Sequence, residues 1–479
     1  MKKSYVAGLM VVILLFGVAT WLLYQKIDLA SPVVRISPDT GSVGARTTLS
    51  LALADEGAGI KSVEVALIQG DKQAVPLKVE YPELGFFQGT GIHRKDLRVV
   101  LQPRLLGLLQ GTAEMRVTVR DASWGRVFSG NMTLLRKVVR VDWVRPSLQV
   151  LSTSHYINRG GVGCIIYKLD EKSVHGVRVG DKFFPGYPCP VGKGVYCAYF
   201  AYPASSGAPP TSLTVIARDD AGNESKAGFY YKLRDKTFRS DNLELSPEWL
   251  SEMVSRLLPE ADPNQPVIKN FLRINRVVRA ANHRRIAQVC SKSSPSQLWE
   301  GPFLRLNNTA PMAGFGDRRS YYVNGQKIDE QLHQGVDLAS LAAAPVQAAN
   351  SGVVAMAEDL GIYGQCVIID HGQGIFSLYG HMSNLSVTTG QKVQKGQVIG
   401  NSGATGLAGG DHVHFSMLVS GVFVNPVEWW DPHWIQDNVQ LKFTQAKEML
   451  APPPPPPAML PMLGTPAAQP PLNTGGVIR

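Results

Sequence analysis

Six of the ten histidines in this 479-residue chain lie between His333 and His433. His333 and Asp337 stand four residues apart, with Gly335 between them to let the backbone turn. Neutral imidazole and carboxylate are ordinary zinc ligands, although this spacing taken alone arises often by chance. His412 and His414 flank Val413. On a strand, residues i and i+2 share a face, so both imidazoles project into one space. One would serve as a ligand with the other beside it, while Val413 and Phe415 turn into a core. His381 closes a strand expected over Phe376–Tyr379. Upstream, Arg318 and Arg319 sit in a loop starting at Phe315, where they can pair with carboxylates or bind acidic groups of a substrate. Histidine and carboxylate clustered in this way point to a metal site.

The motifs around these residues are more specific than the pairs themselves. They include Gly335-Val336-Asp337-Leu338, Tyr363-Gly364, Asp370-His371-Gly372 and Tyr379-Gly380-His381-Met382. Val393-Gln394-Lys395-Gly396-Gln397-Val398-Ile399-Gly400, Gly403-Ala404-Thr405-Gly406, His412-Val413-His414-Phe415 and Asn425-Pro426 follow. With these motifs the stretch from about Gly301 to Pro432 resembles the lysostaphin/LytM-type zinc metallopeptidases, which are cell-wall endopeptidases. The resemblance implies a compact antiparallel β-sheet with a long groove above it. It implies one Zn2+ held by His333, Asp337 and His414, with His381 and His412 as the catalytic histidines. Met382 stands where leucine is common and Asp411 where proline is common, and neither change removes a ligand.

Three protein ligands leave an open position for water, the mark of a catalytic site. Zinc lowers the pKa of such a water to about 7 and polarises the scissile carbonyl. Either His381 or His412 would take the proton; the other would stabilise the oxyanion or protonate the leaving amine. The sequence does not divide these roles. The expected activity is therefore a zinc metalloendopeptidase that hydrolyses peptide cross-links of peptidoglycan. The alternative is a silent relative that activates another wall hydrolase, but such proteins typically lack a ligand, and here all five positions are filled. His371 reads as a turn residue, His433 as surface, and His93, His155, His175 and His283 as structural.

The remaining elements must deliver this site to its substrate. Lys2 and Lys3 precede Val6–Tyr24, 19 residues without a charge. That length spans roughly 30 Å of hydrocarbon as a helix. The lysines would stay in the cytoplasm, giving an uncleaved single-pass anchor in the inner membrane with the rest outside the cytoplasm. The net charge of +10 suits anionic partners such as wall polymers or lipid head groups. No arginine- or lysine-plus-aromatic pattern suggests nucleic acid.

With 47 glycines and 32 prolines, the chain favours short strands and turns. Between Pro32 and Lys232, runs such as Thr47–Ala54, Ser62–Ile68, Ala113–Val119 and Ser212–Ala217 alternate apolar and polar residues, as β-sandwich strands do. A weak internal repeat relates Ala54-Asp55-Glu56 to Leu169-Asp170-Glu171, and Val117–Asp121 to Val215–Asp220. Both copies weakly resemble bacterial immunoglobulin-like modules, which act as spacers or binding surfaces and could hold envelope proteins.

Ser246-Pro247 opens a helix over Glu248–Leu258, and a second helix is expected over about Val267–Val289. The polar face of the second carries Lys269, Arg273, Arg276, Arg279, Arg284 and Arg285. It reads either as a solvated face or as a basic handle that docks on wall polymer or on the catalytic domain. Cys189 and Cys197 are either a disulfide or, like the other three cysteines, small buried residues. The tail from Ala451 begins with six prolines, a stiff extended segment that builds no core but can hold a partner.

The chain therefore reads as mainly β. Residues 1–31 form a transmembrane anchor, 32–145 and 146–234 two β-sandwich modules, 235–300 a helical linker, 301–440 the zinc peptidase domain, and 451–479 a proline-rich disordered tail.

Overall fold

The computed structural model describes residues 2–26, 28–82, 91–124, 129–205, 212–452 and 475–476. Most of the polyproline run and tail therefore lie outside the described residues.

The first helix, Lys2–Lys26, forms where the uncharged run predicts one, and its described side chains, residues 5–21, are all exposed. Among the described residues no helix is long and apolar enough to cross a membrane. The expected transmembrane helix is therefore not supported among the described residues.

Two sheets follow. Val33–Ser37, Thr47–Ala54 and Arg94–Leu101 form one, and a five-stranded sheet centred on Gly111–Asp121 forms the other. Strict alternation decides their inner faces: in Thr47–Ala54 every second residue (Leu49, Leu51, Leu53) is buried, against Val63, Val65, Val117 and Val119 of the facing sheet. This core is closed on itself and separate from the rest of the molecule.

A second sheet pair, with Val162–Leu169 and Val195–Ala201 in one sheet and Val174–Val179 and Leu213–Arg218 in the other, behaves differently. Val162–Leu169 is buried on both faces except at Lys168. Its outer face is covered by the C-terminal helix Leu441–Leu450. One continuous apolar core runs from Leu151 through Phe271 to Ala446. Two buried ionisable groups fasten this junction. Glu428 accepts from Asn158 Nδ2 and from the Val162 amide, each at 3.0 Å. Lys442 Nζ donates to the carbonyls of Thr153 and Ser154 at 2.9 and 3.0 Å. All five cysteines are free and buried, so Cys189 and Cys197 are not joined.

The helix after Ser246 spans Pro247–Leu257, and the Ser246 hydroxyl caps it by accepting from the Trp249 amide. The next runs from Val267 to Val289 with a wide turn at Ile274–Val278. Its basic face docks on the strands that follow it: Arg276 pairs with Asp329 at 3.0 Å and Arg285 with Glu358 at 3.1 Å. The unexpected element is Ser240–Glu244, a strand that pairs in parallel with Arg318–Val323.

The C-terminal sheet is antiparallel. Its spatial order is Ala310–Ala313, Val336–Ala339, Val413–Val419, Ile375–Met382, Gln365–Asp370, Gly352–Asp359, Lys392–Val393, with Val422–Val424 hairpinned onto Val413–Val419. The central strands Ile375–Met382 and Val413–Val419 are buried along their whole length, as rigid supports for a site must be.

Candidate active site

Strand register brings the site together. Val336–Ala339 and Ile375–Met382 flank Val413–Val419, so Asp337 lies opposite His414 on one side and Gly380 opposite it on the other. His381 follows Gly380 and adopts φ +63°, a left-handed conformation that a side chain rarely takes and that the surrounding sheet must enforce. Gly335 serves close packing rather than a turn. A Cβ there would sit 2.5 Å from the Phe415 carbonyl oxygen and 2.6 Å from His414 Nε2.

Three electron-pair donors converge. Asp337 Oδ1 is 3.0 Å from His333 Nε2 and 2.9 Å from His414 Nδ1, and the two ring nitrogens are 3.1 Å apart. The proton inventory of the rings follows from their outer contacts. His333 Nδ1 lies 2.8 Å from the Gly314 carbonyl, which can only accept, so Nδ1 carries the proton. Its Nε2 is then the atom turned towards a carboxylate oxygen and a second imidazole. A shared proton or a metal cation among these atoms offsets their repulsion. His414 Nε2 meets the Ser416 hydroxyl at 3.0 Å, which leaves Nδ1 to face the same point. Two imidazoles and one carboxylate, each braced from behind, fit a zinc-class cation with an open position. All three side chains are buried.

Arg319 donates to the other oxygen, Asp337 Oδ2, at 2.6 Å. Burial alone would raise the Asp337 carboxyl, but His333 and His414 hold it well below the usual carboxylate range. Burial pulls His414 down to about 4. Burial, with the charges of His412 and His414, pulls His381 down to about 3.

His381 and His412 sit beside this cluster, their ring centroids 4.8 Å apart. Each donates its Nδ1 proton to a backbone carbonyl at 2.8 Å, Thr405 for His381 and Gly410 for His412. In both rings Nε2 is the nitrogen left to face the site, and that of His412 is 3.7 Å from Asp337 Oδ1. Asp411 braces the loop before His412 by accepting from the Ser402 hydroxyl at 2.6 Å and the Ala343 amide at 3.0 Å.

The cluster opens into a groove of about 940 Å³. One wall is Leu407–His412; the other includes Leu243–Ser246, Trp249 and Arg279, from the segment before the C-terminal sheet. The sequence reading missed that second wall. Leu243 and Leu245 alternate with polar neighbours, a period-two signal too short to distinguish from a loop. Tyr363 stood in the Tyr363-Gly364 motif without a role; its ring packs edge-on against His414 and its hydroxyl is held by His283 at 3.1 Å. His371 lies outside the site, buried between the Ser351 carbonyl and the Ser377 hydroxyl. His433 is exposed, and His155 and His175 lie within the second sandwich.

A model of peptidase family M23 matches residues 331–426. Residues 331–426 form a peptidase family M23 domain. His333, Asp337, His381, His412 and His414 all fall within the M23 domain. Over 97 residues the chain is 40% identical to the DD-carboxypeptidase/endopeptidase Mpg of Neisseria meningitidis, covering 20% of this chain and 22% of that protein. It is 40% identical over 96 residues to the peptidoglycan DD-endopeptidase ShyA of Vibrio cholerae, with the same shares of each chain, 20% and 22%. The match thus spans about a fifth of these relatives. A crystal structure of a putative M23 peptidase from Pseudomonas aeruginosa aligns with 57% of this chain and 93% of its own, at 22% identity and a TM-score of 0.35.

Proposed function

We propose that the chain is a zinc-dependent endopeptidase that hydrolyses peptide cross-links of peptidoglycan. The observation that carries this reading is the convergence of His333 Nε2, Asp337 Oδ1 and His414 Nδ1 at 2.9–3.1 Å beneath a groove. The names of the M23 relatives, which specify peptidoglycan or endopeptidase chemistry, support the substrate class. The helix Lys2–Lys26, with Lys2 and Lys3 at its start, supports an arrangement in which it holds the chain on the cytoplasmic membrane with the M23 domain facing the wall.

When bound, zinc would supply Lewis acidity and a nucleophile usable at neutral pH. His333, Asp337 and His414 would hold it. His381 and His412, fixed by Thr405 and Gly410 in the tautomer that leaves Nε2 free, hold and move the protons of the reaction. Burial keeps His381 neutral near pH 7, as a proton acceptor must be. The groove walls orient an extended peptide across the site.

The test is digestion of purified peptidoglycan, with zinc content measured on the same sample and His414→Ala as control. About one zinc per chain and new uncross-linked muropeptides, both lost in the variant, are expected. Zinc binding without any released product would move the reading to a regulator of another hydrolase.

A further inference from the structure

The first sandwich carries a second group of acidic side chains, far in sequence from the M23 domain. Asp28, Asp55 and Asp121 each offer an oxygen within 4.8 Å of the other two. Asp55 is 3% exposed and Asp121 fully buried. Asp55 Oδ2 accepts from the Gly59 amide at 2.5 Å, whereas Asp55 Oδ1 is buried with no hydrogen-bond partner among the described residues. A buried acceptor left unmet is costly, and more so when it belongs to a carboxylate. Asp121 Oδ2 takes a bond from Asn131 Nδ2 at 2.8 Å. Asp28 accepts from the Ala30 amide through Oδ1 and from the Ala58 amide through Oδ2. Burial and the charges of Asp121 and Asp28 raise the Asp55 carboxyl, opposed by the Gly59 amide and His93.

We propose that Asp28, Asp55 and Asp121 bind one calcium ion, with the unpartnered Asp55 Oδ1 as its buried ligand. Oxygen-only donors select hard cations, and their mutual separations do not exceed about twice a Ca–O distance of roughly 2.4 Å. The role follows from what is joined. Asp28 is the second residue after the first helix, and Asn131 Nδ2 donates to the backbone carbonyls of Asp28 and Ala30 at 2.8 and 3.0 Å. The ion ties the chain leaving the helix to the strand ends at Asp55 and Asp121, and so fixes how the first sandwich is carried.

The second sandwich repeats the carboxamide clamp. Asn223 Nδ2 donates to Asp219 Oδ2 and to the carbonyls of Asp142 and Val144. There the acidic group is Asp142, Glu171 and Asp219, and Glu171 is exposed where Asp55 is buried. That group serves as an internal control.

The experiment uses the full chain in detergent, freed of calcium but retaining zinc, and titrated with CaCl2 by calorimetry and by equilibrium dialysis with radioactive calcium. One calcium per chain is expected, with an affinity better than about 1 mM. Asp55→Asn and Asp28→Asn should each weaken it by about tenfold or more, and Glu171→Gln should leave it unchanged. Calcium should also slow proteolysis between Lys26 and Pro32 in the wild type and not in Asp28→Asn. If Asp55→Asn fails to fold by circular dichroism, the partly exposed Asp28→Asn decides alone. No binding at about 1 mM, binding that survives in the folded aspartate variants, equal affinity for MgCl2, or loss confined to Glu171→Gln would each overturn the proposal.

Discussion

Arg319 Nη2 lies 2.6 Å from Oδ2 of Asp337, so the carboxylate oxygen that faces away from His333 and His414 is already occupied. The pairing leaves Oδ1 as the oxygen offered to a cation and fixes the plane of the carboxylate. Partners of this kind, one step behind the ligands, typically contribute tenfold to a hundredfold in metal affinity. Arg319→Ala is therefore expected to weaken zinc binding by about tenfold or more while the protein stays folded. Competition against a chromogenic chelator measures it. Unchanged affinity would show that Asp337 needs no such support.

The two histidines beside the cluster should behave differently from the three within it. His381→Ala and His412→Ala are each expected to keep about one zinc per chain and to lower kcat on muropeptides by about 10²–10⁴, the usual worth of a positioned acid or base. His414→Ala should lose the metal itself. If either His381→Ala or His412→Ala cleaves at the wild-type rate with zinc bound, that residue handles no proton in the reaction.

The candidate site was legible because its information is local. His333 and Asp337 lie four residues apart, and His412 and His414 share one strand face. The register Asp337↔His414↔Gly380 then needs only an antiparallel sheet. The sandwich strands were legible for the same reason, since one buried face leaves a period of two, as in Thr47–Ala54. What could not be read is what one unit does to another. Val162–Leu169 is buried on both faces because the C-terminal helix lies across it, and that partner is nearly 280 residues away. Lys442 looks like a solvated helix residue until the carbonyls of Thr153 and Ser154 are seen to receive it. The strand Ser240–Glu244 exists because Arg318–Val323 offers it an edge, not because its own residues demand one.

Glu428 gives the junction between the second sandwich and the M23 domain a pH dependence. Burial raises its carboxyl from 4.5 to about 7, opposed by the Asn158 and Val162 donors. The folded state thus binds a proton more tightly than the unfolded chain, and between about pH 4.5 and pH 7 this group's contribution falls as pH rises. The shift corresponds to about 3 kcal/mol at full ionisation. Glu428→Gln removes the titration and keeps an acceptor for the Val162 amide. The difference in unfolding free energy between variant and wild type should move in the variant's favour from pH 5 to pH 8. A difference that stays flat across that range would mean that Glu428 is ionised without cost.

Arg279 is the remaining guanidinium of the groove to account for. Arg239 is paired with Asp241 and Arg319 with Asp337. Arg279 instead reaches only the carbonyl and side-chain oxygens of Asn275 in its own helix, at 3.1 and 2.7 Å, and among the described residues forms no ion pair. Its guanidinium stands in the groove wall close enough for its charge to act on Tyr363, the ring that packs against His414. A cation so placed suits a free carboxylate on a peptide arm, and a charge-assisted hydrogen bond of about 1.5–3 kcal/mol corresponds to roughly tenfold or more in binding. Arg279→Ala is expected to raise KM for muropeptides with free carboxylates by roughly tenfold, with kcat within about twofold and zinc content unchanged. Against amidated muropeptides the variant and wild type should be alike, because the partner charge is then missing from the substrate. A variant that loses activity equally on both substrates would assign Arg279 to holding the helix through Asn275, and a variant with unaltered KM would remove it from substrate binding.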